Sequence, residues 1–312
     1  MARPLRISYP GAHYHVSSRG NEQKDIFKNR RDREKFLDYL ASATQRYGAV
    51  IHAYCLMTNH YHLLLETPEA NLSQIMRHIN GAYTTYFNVK RKRAGHLFQG
   101  RYKAILVEAD AYAAELSRYI HLNPVRAGIV KRPEDHLWSS YSSYIGQNQA
   151  AEWLKTDFIL GYFGQRGVAA ETGYRMFIEE MIDKEYENPL QTAIGAAVLG
   201  TADFVETVTA KHVDTRGPQR EVPALRHLTS RPALDEILRV VDAAFGSNTK
   251  VARQAGMYLC HRYCGEKVRE IGSRFAVGPS AITEASRHFT KRMEKDAGLA
   301  EVIGTIKREL EI

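Results

Sequence analysis

The chain has 312 residues, 44% of them hydrophobic, 10% aromatic and 25% charged, with a formal net charge of +8. These values exclude a fibrous or largely disordered chain, and no apolar run approaches the ~18–20 residues that cross a bilayer. Three cysteines, Cys55, Cys260 and Cys264, cannot complete a disulfide framework. They read as reduced thiols of a cytosolic protein, and the basic N-terminus lacks the apolar stretch of a secretory signal.

Taken in chain order, His13 to Ser17 alternates and predicts a strand. Arg30 to Tyr47 carries Phe36, Leu37 and Leu40 at helical spacing, with Asn29 as a cap. Val50 to Leu56 predicts a second strand, Thr58-Asn59 a turn and His60 to Glu66 a third strand. Asn71 to Lys92 predicts a long helix with Leu72, Ile75, Ile79, Tyr83 and Tyr86 on one stripe, capped by Asn71. Tyr102 to Glu108 predicts a fourth strand. Asp110 then caps a helix from Ala111 to about His121, with Pro124 at or just past its end. The order β-α-β-β-α-β is the ferredoxin-like, split βαβ plan of an α+β domain. It predicts an antiparallel sheet with helices on one face and an open face for a ligand. After Ile145 the pattern loosens into helical pieces such as Gly173 to Tyr186, and a polar stretch from Arg216 to Pro223 reads as a linker. From Pro232 to Leu310 the chain reads as all-helical.

Charge follows the same division. Residues 1–147 hold 21 Lys and Arg against 12 Asp and Glu, residues 148–225 hold 7 against 12, and residues 226–312 hold 15 against 11. Two basic blocks thus flank an acidic one, which suits a polyanionic partner. The first block also holds 13 of the 18 Tyr and 9 of the 13 His. Basic residues among aromatics fit a surface where bases stack and phosphates pair. Ordinary core and rim tyrosines are the plainer account of most of them.

The chemistry concentrates at two places. His60-Tyr61-His62 puts both imidazoles on one side of an apolar, central strand, where they can bind one divalent ion through nitrogen. Tyr119 and Asn123 lie four apart on one face of the last helix. The Asn123 amide oxygen can complete a metal site, and Tyr119 would sit beside the same ion. That layout suits phosphodiester cleavage, with the metal polarising the phosphate and the phenol attacking it. Plainer alternatives are hydrogen-bonded histidines, a core tyrosine and an Asn-Pro helix stop. Tyr112, seven residues before Tyr119, is the rival nucleophile.

Asn59-His60-Tyr61-His62-Leu63-Leu64 resembles the His-hydrophobic-His (HUH) motif of single-strand DNA nucleases. Tyr119-Ile120-His121-Leu122-Asn123-Pro124-Val125-Arg126-Ala127-Gly128 is similar to the tyrosine helix of single-tyrosine transposases, more narrowly the bacterial REP-associated ones. Leu97-Phe98-Gln99-Gly100-Arg101-Tyr102 fits the same family. The resemblance spans about residues 6–145. It implies a metal-dependent endonuclease and strand transferase acting on single-stranded DNA at folded palindromes, using Mg²⁺ or Mn²⁺. It places the nucleophile at Tyr119 and the metal ligands at His60, His62 and Asn123. The insertion-sequence branch usually has Gln where this chain has Asn123, one methylene shorter. Arg19, Arg101, Lys103, Arg118 and Arg126 are candidate DNA contacts. Lys90-Arg91-Lys92-Arg93 reads equally as a DNA-facing patch or as favourable charge at a helix C-terminus.

In the C-terminal block, Lys267 to Phe275, a turn at Ala276-Val277-Gly278-Pro279 and Ser280 to Met293 follow the helix-turn-helix plan, with Ser280 as the second helix's cap. Ile282 would face the core, and Thr283, Glu284, Arg287 and Arg292 a DNA groove. Val251 to Leu259 with Glu270-Ile271-Gly272 resembles the duplex-DNA-binding domain of the bacterial replication initiator. Cys260 and Cys264 read as buried thiols. The expected organisation is an HUH nuclease domain over 1–147, an acidic helical extension and linker over 148–225, and a helical duplex-DNA-binding domain over 226–312. The protein would act as a monomer or homodimer in the bacterial cytoplasm, at the nucleoid and without a membrane. The alternative is a non-catalytic nucleic-acid-binding regulator that uses the sheet face and the helix-turn-helix.

Overall fold

A computed structural model describes residues 7–164, 167–184, 188–212, 232–246, 249–264, 266 and 268–310. The expected linker from Arg216 to Pro223 lies outside the described residues. The chain divides into two compact units, Met1–Thr215 and Arg216–Ile312. The described part of the acidic segment after residue 147 packs within the first unit, as shown below. No described helix is long and apolar enough to cross a membrane.

The first unit opens with β1 (Ala12–Arg19), α1 (Arg30–Tyr47), β2 (Val50–Leu56), β3 (His60–Thr67), α2 (Leu72–Lys90), β4 (Lys103–Val107) and α3 (Ala109–Arg126). This is the order read from the sequence. The strands line up as β2-β3-β1-β4, with every pairing among them antiparallel. A two-residue strand, β5 (Val198–Leu199), then adds to β4 in parallel. Asn29 caps α1, its side chain accepting from the Asp32 amide. Asn71 stands at the N-cap of α2, but its side chain donates to the Tyr47 carbonyl instead of capping.

Alternate residues of β3 serve two different layers. Tyr61 packs against Phe36 of α1, with ring centroids 4.7 Å apart, and donates to Asn80 of α2. Its neighbours His60 and His62 face the other way. The second face is not open along its length, contrary to expectation. Leu64, Ala53 and Cys55 pack there with Leu116 and Ile120 of α3. Short helices α4 (Tyr141–Tyr144) and α5 (Asp157–Leu160) and helix α6 (Val168–Glu179) extend the layer, bringing Tyr141, Tyr144, Ile159, Tyr174 and Ile178 into the same core. His121 is buried within it, bonded to the Tyr174 hydroxyl and Ser140 Oγ, both at 2.7 Å. Helix α7 (Ala202–His212) follows β5.

Helix α3 departs from the sequence reading at both ends. It starts at Ala109 with Glu108 at the N-cap, so Asp110 is not the cap; the Glu108 carboxylate accepts instead from the Thr201 amide. It runs through Pro124 to Arg126. Proline inside a helix removes one ladder bond, yet Leu122 on the same turn is 1% exposed, and this burial favours keeping the segment helical.

The second unit is helical: α8 (Leu234–Phe245), α9 (Lys250–Tyr263), α10 (Val268–Arg274), α11 (Pro279–Met293) and α12 (Ala297–Glu309). Lys267, the expected start of α10, lies outside the described residues. Ile282, Cys260 and Cys264 are buried in its core, and neither cysteine is in a disulfide. Gly272 permits the tight α10–α11 turn, since a Cβ there would meet the Val277 carbonyl at 2.6 Å. Gly278 caps α11 with Pro279 at its first turn, so Ser280 does not cap.

Candidate active site at the end of the sheet

The site is built where β1, β3 and β4 end together. Antiparallel register sets Ser17 opposite both His62 and Lys103, and Arg19 opposite His60. All five therefore project from one face. The segment before β4 closes the edge: buried Phe98 bridges to Gly20, and the Gln99 amide donates to the Arg19 carbonyl. The approach is close enough around Gly20 that a Cβ would clash with the Lys24 carbonyl. The result is a cavity of 190 Å³ lined by Ser17, Ser18, Arg19, His60, His62, Gln99, Arg101 and Lys103.

Tyr119 of α3 stands over this face. Its ring meets His62 edge-on at 5.6 Å between centroids and His15 at 6.1 Å, and the Arg126 guanidinium lies 5.6 Å from its centre. Tyr119 is partly buried. The rival Tyr112 is also partly buried, and both tyrosines pack against the apolar cluster around α3. Asn123 is partly buried, and its amide nitrogen donates to the Tyr119 carbonyl at 2.8 Å; its oxygen takes no part in that bond.

The two histidines are in the chemical state that metal ligation needs. Burial lowers His60 to about 4, with help from the Arg19 charge. Burial drives His62 well down, with His15, His60 and Arg19 acting in the same sense. Both are neutral near pH 7. His60 Nδ1 lies 2.7 Å from Asn59 Oδ1, an acceptor, so Nδ1 carries the hydrogen and Nε2 keeps its lone pair. His62 Nδ1 bonds His15 Nε2 at 2.9 Å, and His62 Nε2 is buried without a hydrogen-bond partner. An orphaned nitrogen beside an outward-facing one, each fixed from behind, fits a metal ion. His15, which sequence reasoning did not place here, is 3% exposed and lowered by burial to about 3.

Not every candidate cation joins the site. Arg118 is buried, with its guanidinium 3.3 Å from the centre of the Phe177 ring and 3.3 Å from Glu115. One residue along a helix turns the side chain by ~100°, so Arg118 points into the α6 layer while Tyr119 points to the histidines. Lys90, in the last turn of α2, and Arg91, its C-cap, lie at the helix end as that half of the charge-run reading has it, and both pair with Asp32, a fully buried carboxylate, at 2.6 and 2.7 Å. In the second unit Thr283, Glu284, Arg287 and Arg292 are exposed. Arg287 lies 3.8 Å from Glu284, and Arg292 donates to Gln254.

Residues 8–123 match the family described as "Transposase IS200 like". That match covers just over a third of the chain, and the histidine and tyrosine motifs read from the sequence lie within it. One similar solved structure is a REP-associated tyrosine transposase bound to a REP hairpin: 17% identity, TM-score 0.41, covering 51% of this chain and 93% of that one. Another is a crystal structure of a proposed transposase from Deinococcus radiodurans R1: 19% identity, TM-score 0.28, covering 38% of this chain and 95% of that one. No curated protein matches the sequence.

Proposed function

We propose that the first unit is a metal-dependent single-stranded DNA endonuclease and strand transferase in which Tyr119 is the nucleophile. The observation that carries this is the Tyr119 ring lying edge-on to His62, whose Nε2 is buried and unpartnered. His60 and His62 would hold a Mg²⁺ or Mn²⁺ ion through Nε2, with Asn123 Oδ1 as third protein ligand. The ion would polarise the scissile phosphate. Arg19, Arg101 and Lys103 line the cavity and would bind the phosphates on either side of it. Arg126 lies beside the Tyr119 ring and would pair with the phosphate that Tyr119 attacks. Tyr119 Oη, having lost its proton, attacks phosphorus. The Oη–P bond forms as the P–O3′ bond breaks, and the departing 3′ oxygen takes up a proton. The products are a 5′-phosphotyrosine and a free 3′-hydroxyl, which keep the bond energy for rejoining. The family resemblance supports hairpin DNA as the substrate and the bacterial cytoplasm as the location. In the second unit, the α10–turn–α11 pair would dock on duplex DNA through exposed Thr283, Arg287 and Arg292.

A labelled single-stranded hairpin incubated with Mn²⁺ tests the reading. A covalent protein–DNA band is expected from the wild type and none from Tyr119→Phe, from His60→Ala or in EDTA. An adduct that survives Tyr119→Phe and disappears with Tyr112→Phe overturns the assignment.

A further inference from the structure

A second group of histidines lies on the same sheet face, toward the other end of β3. His13 of β1 stands opposite Glu66 of β3 in the strand register, and His52 comes from β2. His52 is 3% exposed, while the His13 and Glu66 side chains keep 17% and 26% of their surface. One ligand atom from each of the three lies within 4.8 Å of the others.

Both imidazoles are oriented from behind by backbone carbonyls. His13 Nδ1 lies 3.1 Å from the Gly11 carbonyl, and His52 Nδ1 lies 3.2 Å from the Lys155 carbonyl. A carbonyl oxygen only accepts, so in both rings Nδ1 carries the hydrogen. A neutral ring then has a bare lone pair at Nε2. Both Nε2 atoms converge on one oxygen, Glu66 Oε2, at 3.4 and 3.3 Å. A carboxylate oxygen also only accepts, so three lone pairs meet. Charge-assisted hydrogen bonds would be shorter, about 2.7–2.9 Å. Two imidazolium rings stacked with centroids 5.4 Å apart would also repel each other. The two Nε2–Oε2 spacings instead fit a shared cation: a tetrahedral ion with bonds of about 2.0–2.1 Å has ligand–ligand edges of about 3.3–3.4 Å.

We propose that His13, His52 and Glu66 form a second metal site, which takes a zinc-class divalent ion through two Nε2 atoms and one carboxylate oxygen. Two imidazoles and one carboxylate favour such an ion over magnesium or calcium, which prefer all-oxygen shells. The carbonyl bonds behind each ring are the outer support that such histidines usually have. Phe158 of α5 covers both rings, at 5.4 and 5.2 Å between centroids. The exposed edge at Glu66 leaves the fourth position to water. A bound ion would clasp β1, β2 and β3 together and, through His52 and Lys155, fasten the segment before α5 to the sheet. None of its ligands belongs to the proposed nuclease site, so the two readings stand or fall separately.

The test uses the full chain carrying His60→Ala and His62→Ala, stripped of metal with EDTA and titrated with Co²⁺. One Co²⁺ per chain is expected, with visible d–d absorption that Zn²⁺ abolishes and a raised melting temperature. Adding Glu66→Gln, which keeps the side chain's size, or His13→Gln should weaken uptake more than 100-fold, beyond the 10–100-fold cost of losing an outer partner. Circular dichroism checks that each variant is folded. Absence of Co²⁺ uptake by the folded double variant overturns the proposal. So does uptake unchanged by Glu66→Gln, or a thiolate charge-transfer band placing the ion at Cys260 and Cys264.

Discussion

His15 gives the sharpest test of how the proposed nuclease site is held. Its Nε2 lies 2.9 Å from His62 Nδ1, and both rings are buried. For His62 Nε2 to offer a lone pair, Nδ1 must donate, and His15 Nε2 is the acceptor. Replacing His15 with Phe keeps ring volume but removes that acceptor, leaving a buried N–H unpaired and the His62 tautomer unfixed. Outer partners of this kind are worth about 10–100-fold in metal affinity, or about 1.4–2.7 kcal/mol. The assay follows covalent adduct formation against Mn²⁺ concentration under single turnover. The midpoint should move 10–100-fold higher in His15→Phe, while the amplitude recovers at saturating Mn²⁺. An unchanged midpoint with a lower amplitude would refute the positioning role, because His15 would then act on the chemical step or on DNA.

Other consequences follow from the same geometry. Arg118→Ala should lower the first unit's stability by ~1–3 kcal/mol in urea denaturation, through loss of the Phe177 contact and its packing, and leave single-strand affinity unchanged. Burial alone would raise the Asp32 carboxyl, but bonds from Lys90, the Lys28 amide and Arg91 outweigh it and hold the group below the usual carboxylate range. A lowered folded value means stability that is complete above the unfolded carboxyl value of ~3.9 and lost as pH falls through the folded one. Asp32→Asn should therefore cost roughly 2–3 kcal/mol, for lost charge-assisted bonds, equally at pH 7 and pH 5, with the gap to wild type narrowing below about pH 4. Arg287→Ala with Arg292→Ala should reduce the salt slope of duplex binding by about 2, and an unchanged slope would remove α11 from the DNA.

The strands and the long helices were legible because each carries a local period: two for β1 to β4, and 3.6 for α1 and α2. The site was legible where one element sufficed to define it. His60 and His62 share a face by strand alternation, and Tyr119 and Asn123 by helical spacing. Partners contributed by strand pairing were not. His15 was visible in an alternating strand, but only the β1–β3 pairing brings it behind His62. Arg118 was misplaced because adjacency in sequence does not mean adjacency on a helix surface. The second face was read as open because packing of α3 and α6 on it is a tertiary fact that helical period does not show, and the helices that complete the cover are four residues long, too short to show any period.

Alternation along β3 also explains why one sheet face can hold two different kinds of polar site. His60, His62, Leu64 and Glu66 all point the same way, and Leu64 joins Leu116 and Ile120 in the apolar core. Polar groups on this face are thereby left to its two ends, ~13 Å apart between His62 and Glu66. The His60 end gathers Arg19, Arg101 and Lys103, a positive field that draws phosphates. At the Glu66 end, Glu66 and Asp110 both act on His13 as negative charges. Similar imidazoles in opposite fields should therefore divide the work. On the readings proposed above, one pair, among cations, would gain its full set of ligands with DNA phosphate oxygens present, whereas the other, beside its own carboxylate, would hold an ion without DNA. Metal uptake at the His60 end should accordingly tighten when single-stranded DNA is added, and uptake at the Glu66 end should not change.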